Sequence, residues 1–339
     1  MRIAFDTAPT VTGHSPGIAR VVTETLAALR KRARIEVVAC APPPGAALKQ
    51  WRQRILPAQA RAAGAQGLHC FQAALPLRPG LPTVQTVHEL AWRHGVRESG
   101  AWRRMAWVAW GRRKAARIVT ATEFTARDLG AAPPGRVRVI PWGLTPGFSM
   151  AKGARDLEWL ARVGLTPGRY VLSPGGLPRK KEPELLVAAI TDLRQAGHGD
   201  LQLLFTAPRG GDLGRNLARP GVTCLPGLED AQLAILYRHA LRTLVLSRSE
   251  GFSLPILESL ASGTGVVVRE GTAQAEVAGL FAETIPGGER TALVAHLAQA
   301  AAEAPATHLR EARVAYAQQF SWDHTAQGIE DLWQEILGA

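Results

Sequence analysis

Two glutamates, Glu250 and Glu258, stand eight positions apart in the stretch EGFSLPILESLASG. The residues before them, VTCLPGLEDAQLAILYRHALRTLVLSRS, read as strand, turn, amphipathic helix and then a buried strand TLVLS that ends where Glu250 begins. A polar tip at the carboxyl end of a strand in an open parallel sheet is a ligand-site candidate. Gly251 permits close backbone approach, Pro255 suits the first helical position, and Ser253 or Leu254 caps the helix. The amides of Phe252, Ser253 and Leu254 are then expected to be open to an anion. Glu258 is expected on the first turn, pointing back to the same crevice, and Gly263 closes the helix. The alternative for this segment is a glycine-turned strand-to-helix junction whose glutamates are simply solvated.

The elements that position these residues come in two sets of alternating strands and helices. Strands are predicted at RIAFD, IEVVA, GLHCF, TVQTV, RIVTAT and RVRVIP, then at YVLSP, LQLLFT, VTCLP, TLVLS and GVVV. The break LTPGFSMAKG follows the last strand of the first set and serves as a linker. The fold class expected is α/β, two doubly wound Rossmann-like domains facing an interdomain crevice: residues 1–150, residues 151–318, and a last helix in 319–339 returning to the first domain.

The E-x7-E segment resembles the signature of the family-four retaining glycosyltransferases, which have the GT-B fold. MRIAFDTAPTVTGHSPGIAR resembles that family's first strand and glycine-containing loop. VQTVHELAW is similar to its strand ending in His-Asp, with Glu89 in place of Asp, and YVLSPGGLPRKKEPELLVAAI to the first unit of its second domain. RIVTATEFTARDL, RVRVIPWGLTPGF and the tail FSWDHTAQGIEDLWQEIL also match in order. The match covers essentially the whole chain, least closely at residues 40 to 80.

This resemblance implies a retaining transfer of a hexose, with mannose preferred, from a nucleoside-diphosphate sugar to a glycan or lipid-linked acceptor in cell-envelope synthesis. The leaving diphosphate must be neutralised. The chain has no DxD pair, so no cofactor and no metal are expected; GGLPRKK supplies the charge. Lys181 falls on the family's phosphate-binding lysine, Lys180 on a neighbouring arginine of one branch, with Arg179 beside them, and Gly176 replaces the other branch's arginine. By the same resemblance Glu258 accepts hydrogen bonds from ribose hydroxyls, and Glu250 with the amides of Gly251, Phe252 and Ser253 holds the sugar. Gly17, read as lying on the loop after the first strand, approaches the diphosphate by its backbone, and His88 hydrogen-bonds the sugar or its phosphate. Gly227 and Leu228 contact the base. Asp6 and Glu123 also match family positions, where turn formation and helix capping explain them equally well. Trp142, Thr145, Ser262 and Gly265 depart from the family pattern.

Two readings of another class stay open: a non-catalytic GT-B partner that binds nucleotide or anionic glycan, and a nucleotide-sugar epimerase.

The net charge of +12 is unevenly placed. Residues 1 to 150 hold about 22 Lys plus Arg against about 7 Asp plus Glu, roughly +15, and the rest of the chain is roughly −3. Such a field attracts anionic lipid surfaces or phosphorylated acceptors. No helix-turn-helix, zinc-knuckle or RNP-type motif points to nucleic acid, and none is expected as a partner. Tryptophan accompanies the charge in KQWRQRIL and ESGAWRRMAWVAWGRRKAARI. On a helix, Trp102, Met105, Ala106, Ala109 and Trp110 share a face. Because the faces segregate poorly, a core helix with a basic outer face is expected there, the other reading being an interfacial helix. Around Trp51 the membrane or acceptor reading stands level with the core one. No apolar run reaches the roughly 20 residues needed to span a bilayer, and the amino terminus lacks a signal-peptide pattern. The protein is therefore expected in the cytoplasm, peripheral at the inner membrane face. Cys40, Cys70 and Cys224 are too sparse for a disulfide framework or zinc site.

Overall fold

Two sheets of six parallel strands make up the computed structural model, which describes residues 1–12, 16–130, 133, 135–207, 219–303 and 306–338. The chain divides into two compact units, one of residues 1–143 with 320–339 and the other of residues 144–319. The first therefore ends before Pro146, earlier than the boundary expected at residue 150.

In the first unit, β1 (Arg2–Asp6), β2 (Glu36–Cys40), β3 (Gly67–Cys70), β4 (Thr83–Thr86), β5 (Arg117–Thr120) and β6 (Val137–Val139) are arranged in the order β2-β1-β3-β4-β5-β6. All four residues of β3 and of β4 are buried, as expected of strands covered on both faces. The crossover from β1 to β2 runs one way and later crossovers run the other. Right-handed connections thus place α1 (Pro16–Arg32) on one face of the sheet and α2 (Leu56–Ala62), α3 (Ala101–Lys114) and α4 (Glu123–Asp128) on the opposite face. Order reverses between β1 and β3, which opens a cleft at their carboxyl ends.

The second unit contains β7 (Tyr170–Ser173), β8 (Gln202–Phe205), β9 (Val222–Cys224), β10 (Arg242–Val245), β11 (Val266–Arg269) and β12 (Ala282–Ile285), in the order β12-β11-β10-β7-β8-β9. Three of its helices bear on the site: α5 (Pro183–Gln195), α6 (Asp230–His239) and α7 (Leu254–Ala261). The order reverses between β7 and β10, so the loops after those two strands meet at one cleft. The strand β12 is missing from the sequence-based set. It is a four-residue edge strand, AETI, with a single fully buried residue, and it is fixed by parallel pairing to β11 rather than by local pattern.

The helix α8 (Trp322–Leu337) belongs to the first unit and packs on α1. Trp322, Thr325, Ala326, Ile329, Leu332 and Trp333 line its buried stripe at helical spacing. Ser321 caps it by accepting from the His324 amide at 3.1 Å, and Gly338 ends it at φ +66°. Buried Glu330 accepts from Arg32 of α1 at 2.9 Å. Trp333 lies so close over Gly67 that a Cβ there would sit 2.2 Å from the indole, so only glycine fits at the start of β3.

The helix α3 overturns the core-helix expectation. Only Val108 and Gly111 of it are buried. Trp102, Met105, Ala106 and Ala109 are exposed, with Trp110 half-buried. The helix is seated through its glycine: a Cβ on Gly111 would lie 2.0 Å from the Gln85 side chain of β4. Trp51, by contrast, is 1% exposed and belongs to the core. None of the described helices is long and apolar enough to cross a membrane.

Candidate active site

The cleft between β7 and β10 receives the two segments singled out by their chemistry. From the end of β7 the chain turns through Pro174, Gly175 and Gly176 into a short 3-10 turn, Arg179–Lys181, before α5. Lys181 folds back across this turn and donates from Nζ to the Pro174 carbonyl at 2.8 Å. Gly175 takes φ +83°, and a Cβ there would stand 2.5 Å from that Nζ, so glycine is required for the lysine to lie where it does. The Gly175 amide in turn donates to Thr206 Oγ1 at 2.7 Å, which ties the turn to the end of β8. Burial pushes the Lys181 pKa down, while the Glu250 charge opposes that shift. The turn itself is tied to the other strand, since the Arg248 amide donates to the Lys180 carbonyl at 2.8 Å.

Glu250 lies four residues beyond Leu246 on the loop after β10. Its Oε1 accepts from the Ser247 hydroxyl at 2.9 Å, and its Oε2 is 3.7 Å from Lys180 Nζ. The Ser247 carbonyl accepts from the buried Gln274 amide at 2.8 Å, which anchors the serine that holds the carboxylate. Two lysines thus surround one glutamate and leave a positive surplus at the cleft, which exposed Arg179 enlarges. Ser173, Pro174, Lys181, Ser247, Ser253 and Pro255 line a small cavity beneath it.

At the start of α7, Ser253 is the N-cap residue with φ +73°, the left-handed region that a serine enters only under constraint. Its side chain makes no cap hydrogen bond, and Pro255 occupies the first turn. This backbone strain sits within the segment expected to grip the ligand. Gly251 and Phe252 are buried and already engaged within the protein, which leaves the amides of Ser253 and Leu254 as the expected donors.

Glu258 lies on the second turn of α7, one turn later than expected, because the helix starts at Leu254. It is 5% exposed, and its carboxylate is clamped: Oε1 accepts from Thr145 Oγ1 at 3.0 Å and Oε2 from the Tyr237 hydroxyl at 3.1 Å. Tyr237, on α6, meets Phe148 edge-on at 5.6 Å. Sequence reasoning noted Thr145 only as a departure and missed Tyr237. The available signal was a tyrosine on the apolar face of α6, whose hydroxyl needs a buried partner. Gly227 at φ +65° and half-buried Leu228 form the turn between edge strand β9 and α6, where Glu229 and Gln232 make a capping box.

The first unit holds the remaining candidates. His88 follows β4 and donates from Nε2 to the Phe71 carbonyl at 2.8 Å, with its ring 6.0 Å from that of Trp142. Burial pushes its pKa down, keeping the ring neutral near pH 7. Gly17 is an exposed second residue of α1, not part of a loop, and a side chain there would meet open space. Asp6 is buried in an ion pair with Arg52 at 3.0 Å and also accepts from the Ala8 amide. Thr122, rather than Glu123, caps α4.

A family model described as Glycosyltransferase Family 4 matches residues 16–147, and one described as Glycosyl transferases group 1 matches residues 168–309. Among curated relatives, a D-inositol 3-phosphate glycosyltransferase of Acidothermus cellulolyticus is 30% identical over 304 residues, spanning 77% of this chain and 63% of its own length. One of Rhodococcus erythropolis is 30% identical over 253 residues, spanning 65% of this chain and 53% of its own. The chain thus spans between half and two thirds of these relatives. Among solved structures, HepE of Anabaena in complex with UDP-glucose has a TM-score of 0.77 at 15% identity, covering 99% of this chain and 100% of that one. A sucrose-phosphate synthase of Thermosynechococcus elongatus has a TM-score of 0.76 at 18% identity, covering 100% and 99%. The fold of two Rossmann-like domains is the GT-B fold of these structures.

Proposed function

Because the chain belongs to the family-four glycosyltransferases, we propose that it moves a hexose, with retention and without metal, from a nucleoside-diphosphate sugar to a glycan or lipid-linked acceptor of the cell envelope. One observation carries this reading: Lys181 and Glu250, far apart in sequence, converge at the carboxyl ends of β7 and β10, where an anion and a polyol can be held together. In the reaction the bond from the anomeric carbon to the diphosphate breaks, and the acceptor oxygen bonds that carbon on the same face. The acceptor's proton passes to the leaving phosphate oxygen. Lys181 and Lys180 neutralise the charge that develops on the diphosphate. Glu250 orients the sugar hydroxyls and is not assigned as a nucleophile. Glu258 serves the ribose, with Thr145 and Tyr237 fixing its carboxylate.

The donor base follows two leads. HepE was solved with UDP-glucose, which supports a uridine donor, while the HEL and PRKK segments resemble mannosyltransferases and support a guanosine one. The basic first domain suits an anionic acceptor, as do relatives named for inositol 3-phosphate, and it favours work at the cytoplasmic membrane surface.

Thermal shift against UDP, GDP, ADP and TDP and their sugar conjugates tests the reading. One nucleotide is expected to stabilise the protein saturably, and Lys181→Ala to abolish the shift and lower transfer by about 100-fold or more. A folded protein that responds to no nucleotide favours the non-catalytic partner instead.

A further inference from the structure

The exposed face of α3 has the composition of a surface that leaves water for a bilayer interface. Trp102 is 67% exposed and Met105 48%, and Ala106 and Ala109 continue the same stripe toward Arg113. Positions 102, 106, 109 and 113 recur at helical spacing. Arg103 holds its guanidinium over the Trp102 ring at 5.1 Å from the centroid, and Lys114 lies over Trp110 at 5.9 Å. The helix carries no acidic residue and its last turn is Arg112, Arg113 and Lys114. Val108, Gly111 and half-buried Trp110 seat the helix, with Gln85 donating to the Trp107 carbonyl at 3.0 Å, whereas Trp102 and Met105 lie largely in water.

We propose that α3 lies flat on an anionic bilayer, with Trp102 and Met105 entering the headgroup boundary and Arg103, Arg113 and Lys114 reaching the lipid phosphates. It rests on the reading of a membrane-borne acceptor and names the element that brings the enzyme there. Long basic side chains keep their charge in the headgroups while their stems cover apolar surface, and tryptophan favours that depth. A second copy would bring the same cations face to face. A protein partner needs about 800 Å² on each side, whereas α3 offers one ridge of about 21 Å. Trp51 itself takes no part, because it is interior. On the same face of the sheet Ile55 and Leu77 are exposed beside Arg54 and Arg78, which extends the basic-apolar surface.

The test floats the full chain with phosphatidylcholine vesicles and with vesicles that also contain phosphatidylglycerol. Binding is expected only to the latter and to weaken on raising salt. The double variant Trp102→Ala, Met105→Ala is expected to lower partitioning at least about tenfold. Arg113→Gln and Lys114→Gln should each lower it by about fivefold, whereas Leu157→Ala, an exposed apolar control in the other unit, leaves it unchanged. Brominated acyl chains should quench fluorescence in the native protein and less so in Trp102→Phe. Flotation that survives the double variant overturns the proposal. So does self-association or capture by an acidic polypeptide that depends on Trp102 while vesicles are ignored. The nucleotide thermal shift serves as the folding control and separates the two readings. A protein that binds nucleotide but does not float removes the docking alone; one that floats but binds no nucleotide removes the transfer reading alone.

Discussion

At the carboxyl ends of β7 and β10, two lysines share a single glutamate and the cations are left in surplus, whereas at the carboxyl ends of β1 and β3 the buried charges cancel. There Asp6 takes Arg52 at 3.0 Å, and Arg52 also donates to Gln72 Oε1 at 3.2 Å, closing the cleft floor from within. The two sheets share a winding rule, yet it is the sheet of the roughly neutral domain that gathers more cations than carboxylates at its cleft. The excess positive charge of the first domain is spread over its surface, at α3 and elsewhere, rather than gathered at its strand ends. Net charge therefore indicates which large surfaces a domain prefers, and strand-end geometry indicates where a small anion is held.

The largest way to break this contrast is at Arg52. Arg52→Met leaves Asp6 buried without its cation and should cost about 3–5 kcal/mol of stability, read in urea unfolding, with the nucleotide-induced thermal shift retained. A loss of nucleotide response at a temperature where the variant is folded would show that the first cleft is not merely a floor. The next effect separates two adjacent glycines. Gly175→Ala places a Cβ against Lys181 Nζ at positive φ and should cost about 1–3 kcal/mol and weaken nucleotide binding at least tenfold. Gly176→Ala meets only Pro178 at 3.7 Å and should stay within about 0.5 kcal/mol, with affinity kept. Equal behaviour of the two would sink the role given to the folded lysine.

At neutral pH the smallest effect is that of His69, because its share appears only on the acid limb. His69, wholly buried and stacked 4.7 Å from Phe71, has its pKa pushed down by burial to about 3. The unfolded chain binds that proton from about pH 6.5 downward, so stability is full above that pH and falls as the solution is acidified toward pH 3. The slope is about 1.4 kcal/mol per pH unit, and His69→Phe should remove that share from the pH dependence of urea midpoints. An unchanged slope would mean that the ring is charged or solvated in the native state.

Much of the fold was legible because parallel strands buried on both faces are unbroken apolar runs punctuated by glycine, as YVLS and VVVR are. The convergence of Lys181 and Glu250 was expected from the family resemblance, which puts both on the donor, and the sheet reversal supplies its physical reason. The clamp on Glu258 was not: Thr145, Tyr237 and Glu258 belong to three separate elements, and only packing brings them together. The orientation of α3 misled for a different reason. Tryptophan counts as core in a pattern and glycine as nothing, yet the seat of this helix is Gly111, whose missing side chain lets the backbone reach Gln85. Gly17 was read as loop although Pro16, at the first helical position, marks the start of α1.

The packing of Trp333 on Gly67 and of Glu330 on Arg32 has a consequence for how the polypeptide is made. The second unit is continuous in sequence, so all of it can leave the ribosome and close while the first is still incomplete. The first sheet emerges early but lacks its last helix until residues 320–338 follow, and meanwhile the groove beside Gly67 and α1 stands open. Synthesis order thus leaves the earliest-made half the last to be finished, and it is in that interval that a nascent chain offers an apolar groove for a chaperone to shield.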